Sequence, residues 1–351
     1  MLQETSFRLT APITPGFQLN NSGVQLLNNG NIPQAIEKFT QAIQLEPSLV
    51  SCYCNRGSAF LQLGKIEQAI DDYNMAIKLK PDYAEAYGNR GMLYHEMGQD
   101  EQALRDFTMA VELVTDDHVN FYNRGGVWKN MGEYEKAVKD YTRAIELVPD
   151  FSQAFIMRGA TYLEMDLFES AISDCDKTLQ LDPTEISAYM IRGQAFFNSQ
   201  QFLKSLSDFE LLLQSSPENI TALTHLSALY KKTNQYDLAY EFLLRIAELD
   251  GITAENLYER ASCLELMKNW TLAIKHYSAL IDCIPEFVQD HPDVIFNRGR
   301  CHFTLGDFSS ADKDFTHVIS LQLTPWSQHA LEMKHQCQQH SNTPITPTEK
   351  N

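Results

Sequence analysis

The sequence predicts an all-α protein, an α-α superhelical solenoid of nine helical hairpins closed by a capping helix. Three observations lead to this fold class. One set of residue types returns every thirty-four positions, apolar residues within each copy recur at helical intervals, and Gly or Pro stands at the breaks between helices. A single hairpin cannot bury its apolar face alone, so the copies must stack.

The period is clearest in a three-residue signature. Asn-Arg-Gly occupies 55–57, 89–91, 123–125 and 297–299, and Arg-Gly occupies 158–159 and 192–193 in the same phase. Ala recurs in that register at Ala69, Ala103, Ala137 and Ala171, and Pro recurs from Pro47 onward. A spacing this strict indicates repeated supersecondary units.

Each copy divides into two helices. In the third copy, Tyr87, Gly91 and Tyr94 mark one amphipathic helix, and apolar residues from Leu104 onward mark a second. Between them lies Gly98, at a position where a left-handed helix cap needs no Cβ. Pro after the second helix removes an N–H donor and turns the chain toward the next copy.

These residues resemble the tetratricopeptide repeat, whose pattern has Gly, Ala, aromatic and Pro residues at fixed offsets. The resemblance implies an extended segment at 1–15, repeats over 16–325, a capping helix at 326–340 and a disordered tail at 341–351. Nine copies begin at Gly16, Val50, Ala84, His118, Ser152, Ile186, Ile220, Ala254 and Pro292.

Composition restricts the partner and the location. The net charge is −18, which argues against nucleic acid, because phosphate binding requires clustered positive charge. We therefore expect a protein or peptide partner, with a basic one the natural match. Since no run approaches the about 18 apolar residues of a membrane span and no secretory signal stands out, we expect a cytoplasmic protein without membrane contact.

No catalytic pattern is present, so we expect no enzyme. A phosphate-binding glycine loop, a zinc-protease helix and a nucleophile elbow are all missing from the sequence. The seven cysteines are best explained by core packing, as where Cys175 replaces the core aromatic of its copy. We accordingly expect no metal and no cofactor.

A pair of charged positions predicts contacts inside each hairpin. Seven copies carry Arg at their seventh position, and in six of them Asp follows sixteen residues later. In the seventh copy both positions are apolar, Leu226 and Phe242. Joint replacement is what a contacting pair produces, because an unpaired buried charge costs more than a matched or an apolar pair. The alternative is that Asp faces water and the coincidence follows from duplication.

One residue earlier, the sixth position of several copies holds Asn, and these residues predict the binding site. In this architecture first helices line the concave face, so a row of amides could grip a partner's main chain. The row resembles the asparagine ladder of O-linked N-acetylglucosamine transferases, although no catalytic domain follows. Alternatively, these amides only assist helix packing or bind water. The row comprises Asn21, Asn55, Asn89, Asn123 and Asn297.

Beyond the fourth copy the same face becomes apolar, which predicts a seat for an apolar side chain after the amide row. The competing interpretation is burial in the core, especially for Phe197. The residues concerned are Ile156, Met157, Met190, Ile191 and Phe197, and Tyr122 of the fourth copy is expected to add an aromatic wall.

The family's clamp for the acidic C-terminal tails of chaperones needs Lys at the fifth position, and no copy has it. Those tails are therefore not expected partners. The sequence favours a scaffold or adaptor that binds an extended segment. The alternative is a structural subunit that self-associates through its convex or terminal surfaces.

Overall fold

A computed structural model describes residues 14–321 and 326–341, and all regular structure within these ranges is helical. This confirms the expected all-α fold class. The helices are α1 (Pro15–Asn28), α2 (Ile32–Leu45), α3 (Val50–Gln62), α4 (Ile66–Leu79), α5 (Ala84–Glu96), α6 (Asp100–Leu113), α7 (His118–Asn130), α8 (Tyr134–Leu147), α9 (Ser152–Glu164), α10 (Phe168–Leu181), α11 (Ile186–Asn198), α12 (Phe202–Ser215), α13 (Ile220–Lys232), α14 (Tyr236–Asp250), α15 (Ala254–Leu266), α16 (Trp270–Cys283), α17 (Pro285–Asp290), α18 (Asp293–Thr304), α19 (Phe308–Ser320) and α20 (Trp326–Ser341).

Consecutive helices pack as hairpins, from α1 with α2 through α18 with α19. Four extra residues, Val288 to His291, precede the ninth copy, and the first three of them lie in the short α17. Helix α20 packs on α19 where the capping helix is expected. Pro15, assigned to the extended segment from sequence, is the first residue of α1 and follows the N-cap Thr14. The rest of the N-terminal segment and the tail from 342 onward lie outside the described residues.

The chain forms two compact units, Met1–Glu185 and Ile186–Asn351. In unit 1 the first helices of the hairpins, α1, α3, α5, α7 and α9, each contact the next one along, and they lie closer to one another than the second helices do. We call the surface that they form the first-helix face of unit 1.

In most hairpins the core sets a small residue against an aromatic ring. A Cβ placed on Gly57 of α3 would come within 2.8 Å of the Tyr73 ring from α4. Ala69 and Ala76 flank that ring and are fully buried. Any larger residue at Gly57 would push the two helices apart, which explains why Gly and Ala recur in this register.

The turns between helices use a left-handed residue, as the sequence predicts. Gly30, Gly64, Gly98, Gly132 and Gly306 have φ between +69° and +79°. The equivalent residues in the fifth to eighth copies have the same backbone without being glycine, and they are Asp166, Gln200, Asn234 and Lys268. These four turns carry backbone strain that glycine would avoid.

Among the helices of the described ranges, none is long and apolar enough to cross a bilayer.

Candidate partner-binding face and its supporting frame

Paired charges fix the two helices of six hairpins, as the sequence predicts. In the third copy, Arg90 Nε donates to Asp106 Oδ2 at 2.7 Å and Nη2 donates to Oδ1 at 2.7 Å. Such bidentate pairs fix both distance and orientation. The same arrangement occurs in Arg56–Asp72, Arg124–Asp140, Arg158–Asp174, Arg192–Asp208 and Arg298–Asp314.

Several of these arginines also reach the preceding hairpin, which the sequence analysis did not predict. Arg56 Nη1 donates to Thr40 Oγ1 at 3.1 Å, and Arg158 Nη1 donates to Thr142 Oγ1 at 2.8 Å. The acceptor lies sixteen residues before the Arg in both cases. Each of these two guanidinium groups therefore links three helices. The sequence signal for the third contact is a short polar residue sixteen positions before the arginine. Hydrogen bonding to Asp72 raises the pKa of Arg56, which further favours its charged form.

The seventh and eighth copies lack this Arg–Asp pair. In the seventh, Leu226 is fully buried and Phe242 packs against the same cluster, as expected for an apolar pair. In the eighth, Arg260 and His276 occupy the two positions, and neither Arg260 Nε nor His276 Nε2 has a hydrogen-bond partner among the described residues. Burial and the charge of Arg260 lower the pKa of His276. This hairpin lacks the bidentate bond that stabilises the others.

The amides expected in unit 1 are differently engaged. Asn21 is exposed, and Asn55 donates to Asn20 Oδ1 at 2.9 Å. Asn89 on α5 and Asn123 on α7 are partly exposed, and in the described part of the chain neither side-chain amide makes a hydrogen bond. Two amides on neighbouring first helices therefore keep donors and acceptors free, while Asn55 keeps its oxygen.

A cavity of about 190 Å³ opens beside Asn123 on the first-helix face. It brings together three residues that the sequence analysis selected, Tyr122, Asn123 and Met157. The Tyr122 ring lies 5.8 Å from that of Tyr141, and burial raises the pKa of Tyr122. The full lining is Met92, His95, Phe107, Tyr122, Asn123, Gly126, Tyr141 and Met157.

The remaining apolar candidates are partly buried, like Tyr122 and Met157. Ile156 is half-buried on α9 of unit 1. In unit 2, Met190 and Phe197 pack against the core between α12 and α13, where the Phe197 ring lies 5.9 Å from that of Phe202. Ile191 is half-buried. Met190 and Phe197 thus contribute to core packing while part of each side chain stays exposed.

In unit 2, Asn297 is partly exposed on α18, and its Oδ1 accepts a long hydrogen bond from Arg300 Nη1 at 3.4 Å. This amide stands apart from the row in unit 1, because the copies before it have other residues at the sixth position.

Unit 2 has a larger cavity, of about 770 Å³, among α13, α14 and α15, which sequence reasoning missed. Lys231 Nζ and Glu259 Oε2 form an ion pair of 2.6 Å in its lining. Buried Asn256 also lines it, donating to the Leu243 carbonyl at 2.9 Å while its Oδ1 has no partner among the described residues. The signal was Asn256 at a position where four other copies have Ala.

Comparison with protein-family models identifies the repeats directly. Models described as TPR repeat or tetratricopeptide repeat match residues 23–64, 57–98, 84–113, 121–151 and 292–324. The curated proteins contain no significant match to the chain.

Solved structures share the fold at low sequence identity. The C-terminal part of a TPR repeat-containing protein from Cytophaga hutchinsonii has a TM-score of 0.56 at 19% identity, covering 68% of this chain and 98% of that one. The pilF protein of Pseudomonas aeruginosa has a TM-score of 0.53 at 21% identity, covering 61% of this chain and 97% of that one. A tetratricopeptide repeat protein of Parabacteroides merdae has a TM-score of 0.52 at 17% identity, covering 82% of this chain and 98% of that one. The family models therefore show that the chain contains tetratricopeptide repeats, and these solved structures show that it shares their fold.

Proposed function

We propose that this protein is an interaction scaffold that binds an extended segment of a partner protein on the first-helix face of unit 1. The observation that carries the proposal is the pair of free amides, Asn89 and Asn123, on adjacent first helices. A primary amide offers a donor and an acceptor together, which matches the N–H and C=O of a main chain. Asn21 and the free oxygen of Asn55 extend the row.

The spacing of the row suits an extended strand. Neighbouring helices pack about 8–10 Å apart, and an extended chain advances about 3.3–3.6 Å per residue. Each amide would therefore meet about every third residue of the partner. Binding of this kind depends on the partner's backbone more than on its side chains.

Charge supports a basic partner. The chain has 46 acidic and 28 basic residues, and an excess of this size attracts positively charged segments at low ionic strength. Chaperone tails that end in acidic residues would be repelled. Partner capture should therefore weaken as salt is added.

Peptide selection from a random display library tests the proposal. Peptides selected on the wild type should bind the Asn89→Ala, Asn123→Ala double variant about 100-fold more weakly, since each amide contributes about 1–1.5 kcal/mol. Asn130→Ala, an exposed amide at the end of the same α7, is the matched control and should leave affinity unchanged.

Chemical changes in the peptide separate backbone from side-chain recognition. N-methylation of a peptide bond that an amide contacts should abolish binding, whereas Ala substitution at the same residue should be tolerated. If side-chain changes matter and N-methylation does not, or if the double variant binds like the wild type, the amide row is not the binding site.

A further inference from the structure

One buried hydroxyl distinguishes the fourth copy from the second. Tyr73 and Tyr141 occupy the same repeat position, and both side chains are buried. The Tyr73 hydroxyl has a partner, Ser58 Oγ, at 3.1 Å. Gly126 stands where Ser58 stands in the second copy, and the Tyr141 hydroxyl has no hydrogen-bond partner among the described residues.

Gly126 also leaves space in front of that hydroxyl. A Cβ on Gly126 would have one neighbour within 4 Å, the Tyr141 hydroxyl at 3.9 Å. Both residues line the cavity of about 190 Å³, and so does the free amide of Asn123. The unsatisfied hydroxyl, the missing side chain and the candidate binding amide therefore belong to one small site.

The other walls indicate which group fits. Met92, Phe107 and Met157 provide apolar contact, and no Lys or Arg is present in the lining. A carboxylate entering here would be buried without a Lys or Arg beside it, and His95 already faces the carboxylate of Asp100, so its burial is costly. Burial raises the pKa of Tyr141 well above its ordinary value, so the hydroxyl keeps its proton and can donate.

We propose that this cavity binds a neutral carbonyl oxygen of the partner segment, with the Tyr141 hydroxyl and the Asn123 amide as donors. This inference rests on the proposed function and adds a specificity pocket to it. The carbonyl belongs either to a side-chain carboxamide, as in Gln or Asn, or to the partner's main chain. His95 also lines the cavity, and its Nδ1 lies 2.7 Å from Asp100 Oδ1. In the tautomer in which Nδ1 donates to Asp100, Nε2 can accept from an N–H group. A carboxamide carries an N–H beside its carbonyl, which favours it as the ligand.

Fragment binding followed by NMR tests the proposal on the full chain. Met92 and Met157 line the cavity, so ¹³C-methyl methionine labelling places reporters on its walls. The probes are acetamide for the carboxamide, N-methylacetamide for the main chain, and acetate, which has the shape of acetamide with a negative charge. Acetamide should shift both methyl signals, and acetate should not.

Two variants should abolish binding in the cavity for different reasons. Gly126→Ser supplies the partner that Ser58 provides to Tyr73 and fills the cavity, and Tyr141→Phe removes the donor. Both should abolish the acetamide shifts, while Tyr73→Phe should leave them unchanged. Circular dichroism and the methyl signals of unit 2 check that each variant is folded.

The outcomes separate the sources and the hypotheses. Shifts with acetamide alone identify a side-chain carboxamide, and equal shifts with N-methylacetamide identify a backbone carbonyl. Equal response to acetate, no response to either amide, or full response in Gly126→Ser would each overturn the pocket. Asn123 belongs to both hypotheses, whereas Asn89 does not line the cavity. The single variant Asn89→Ala and the N-methylated peptides therefore test the scaffold function separately, and the pocket can fail while that function holds.

Discussion

Breaking one charged pair should destabilise the protein strongly, and replacing both partners should restore it. Arg124 and Asp140 are the clearest pair for this test, with two hydrogen bonds of 2.7 and 2.8 Å. The Asp140 side chain is 5% exposed and that of Arg124 is 18% exposed. Arg124→Leu leaves a nearly buried carboxylate without either donor.

The expected cost of Arg124→Leu is about 2–3 kcal/mol, below the usual range for fully buried pairs because Arg124 keeps some solvent contact. Adding Asp140→Phe should return the free energy of unfolding to within about 1 kcal/mol of the wild type. The chain already contains this solution, since Leu226 and Phe242 take the same two places in the seventh copy.

Guanidinium unfolding followed by circular dichroism gives the free energy of unfolding of the wild type, of each single variant and of the double variant. Hydrogen exchange of α7 and α8 peptides shows where stability is lost. The exposed pair Arg143–Glu146, 3.1 Å apart on α8, is the control and should couple by less than about 0.5 kcal/mol. Losses that add within about 0.5 kcal/mol for Arg124 and Asp140 would refute the reasoning.

The remaining predictions concern His276, Gln200 and Tyr141. His276→Asp should form the missing pair with Arg260 and raise the free energy of unfolding by about 1–3 kcal/mol. The wild type should also lose stability as pH falls below about 6.5, because the unfolded state takes up a proton before buried His276 does, and unfolding at several pH values should show a smaller loss in the variant. Gln200→Gly should stabilise by about 0.5–1 kcal/mol in thermal unfolding, since φ is +61° there, and a loss would mean that the side chain matters more than the backbone. Tyr141→Phe should leave the melting temperature unchanged or higher, whereas Tyr73→Phe should cost about 1 kcal/mol, and equal losses would show that both hydroxyls are satisfied.

The fold and its frame could be predicted from sequence because both are periodic. A period of thirty-four residues predicts the hairpins, and the joint change to Leu226 and Phe242 predicts the Arg–Asp contact. The contact of Arg56 with Thr40 could not be predicted, because the sequence does not show which helices of successive hairpins lie next to each other. The repeat pattern also continues across 185 and 186 without a change in spacing, so it could not predict the division into two units.

The binding face was only partly predictable, because neighbouring side chains decide whether an amide is free to bind a partner. Asn55 and Asn89 are the same residue at the same repeat position, yet Asn55 donates to Asn20 while the corresponding residue before Asn89 is Cys54, which offers no amide oxygen. The cavity at Gly126 likewise depends on side chains from three hairpins. Its sequence signal was the change from Ser58 to Gly126 opposite a retained Tyr.

The sixth and seventh positions of each copy divide support from recognition. Successive residues of a helix point about 100° apart, so an Arg fixed to the second helix determines where the preceding side chain is directed. From the fourth to the fifth copy the Arg is retained in Arg124 and Arg158, while Asn123 gives way to Met157. The Arg–Asp pair therefore stays constant while the side chain at the sixth position changes. We expect substitutions at the sixth position to alter partner binding with little effect on unfolding, and substitutions at the seventh to do the reverse.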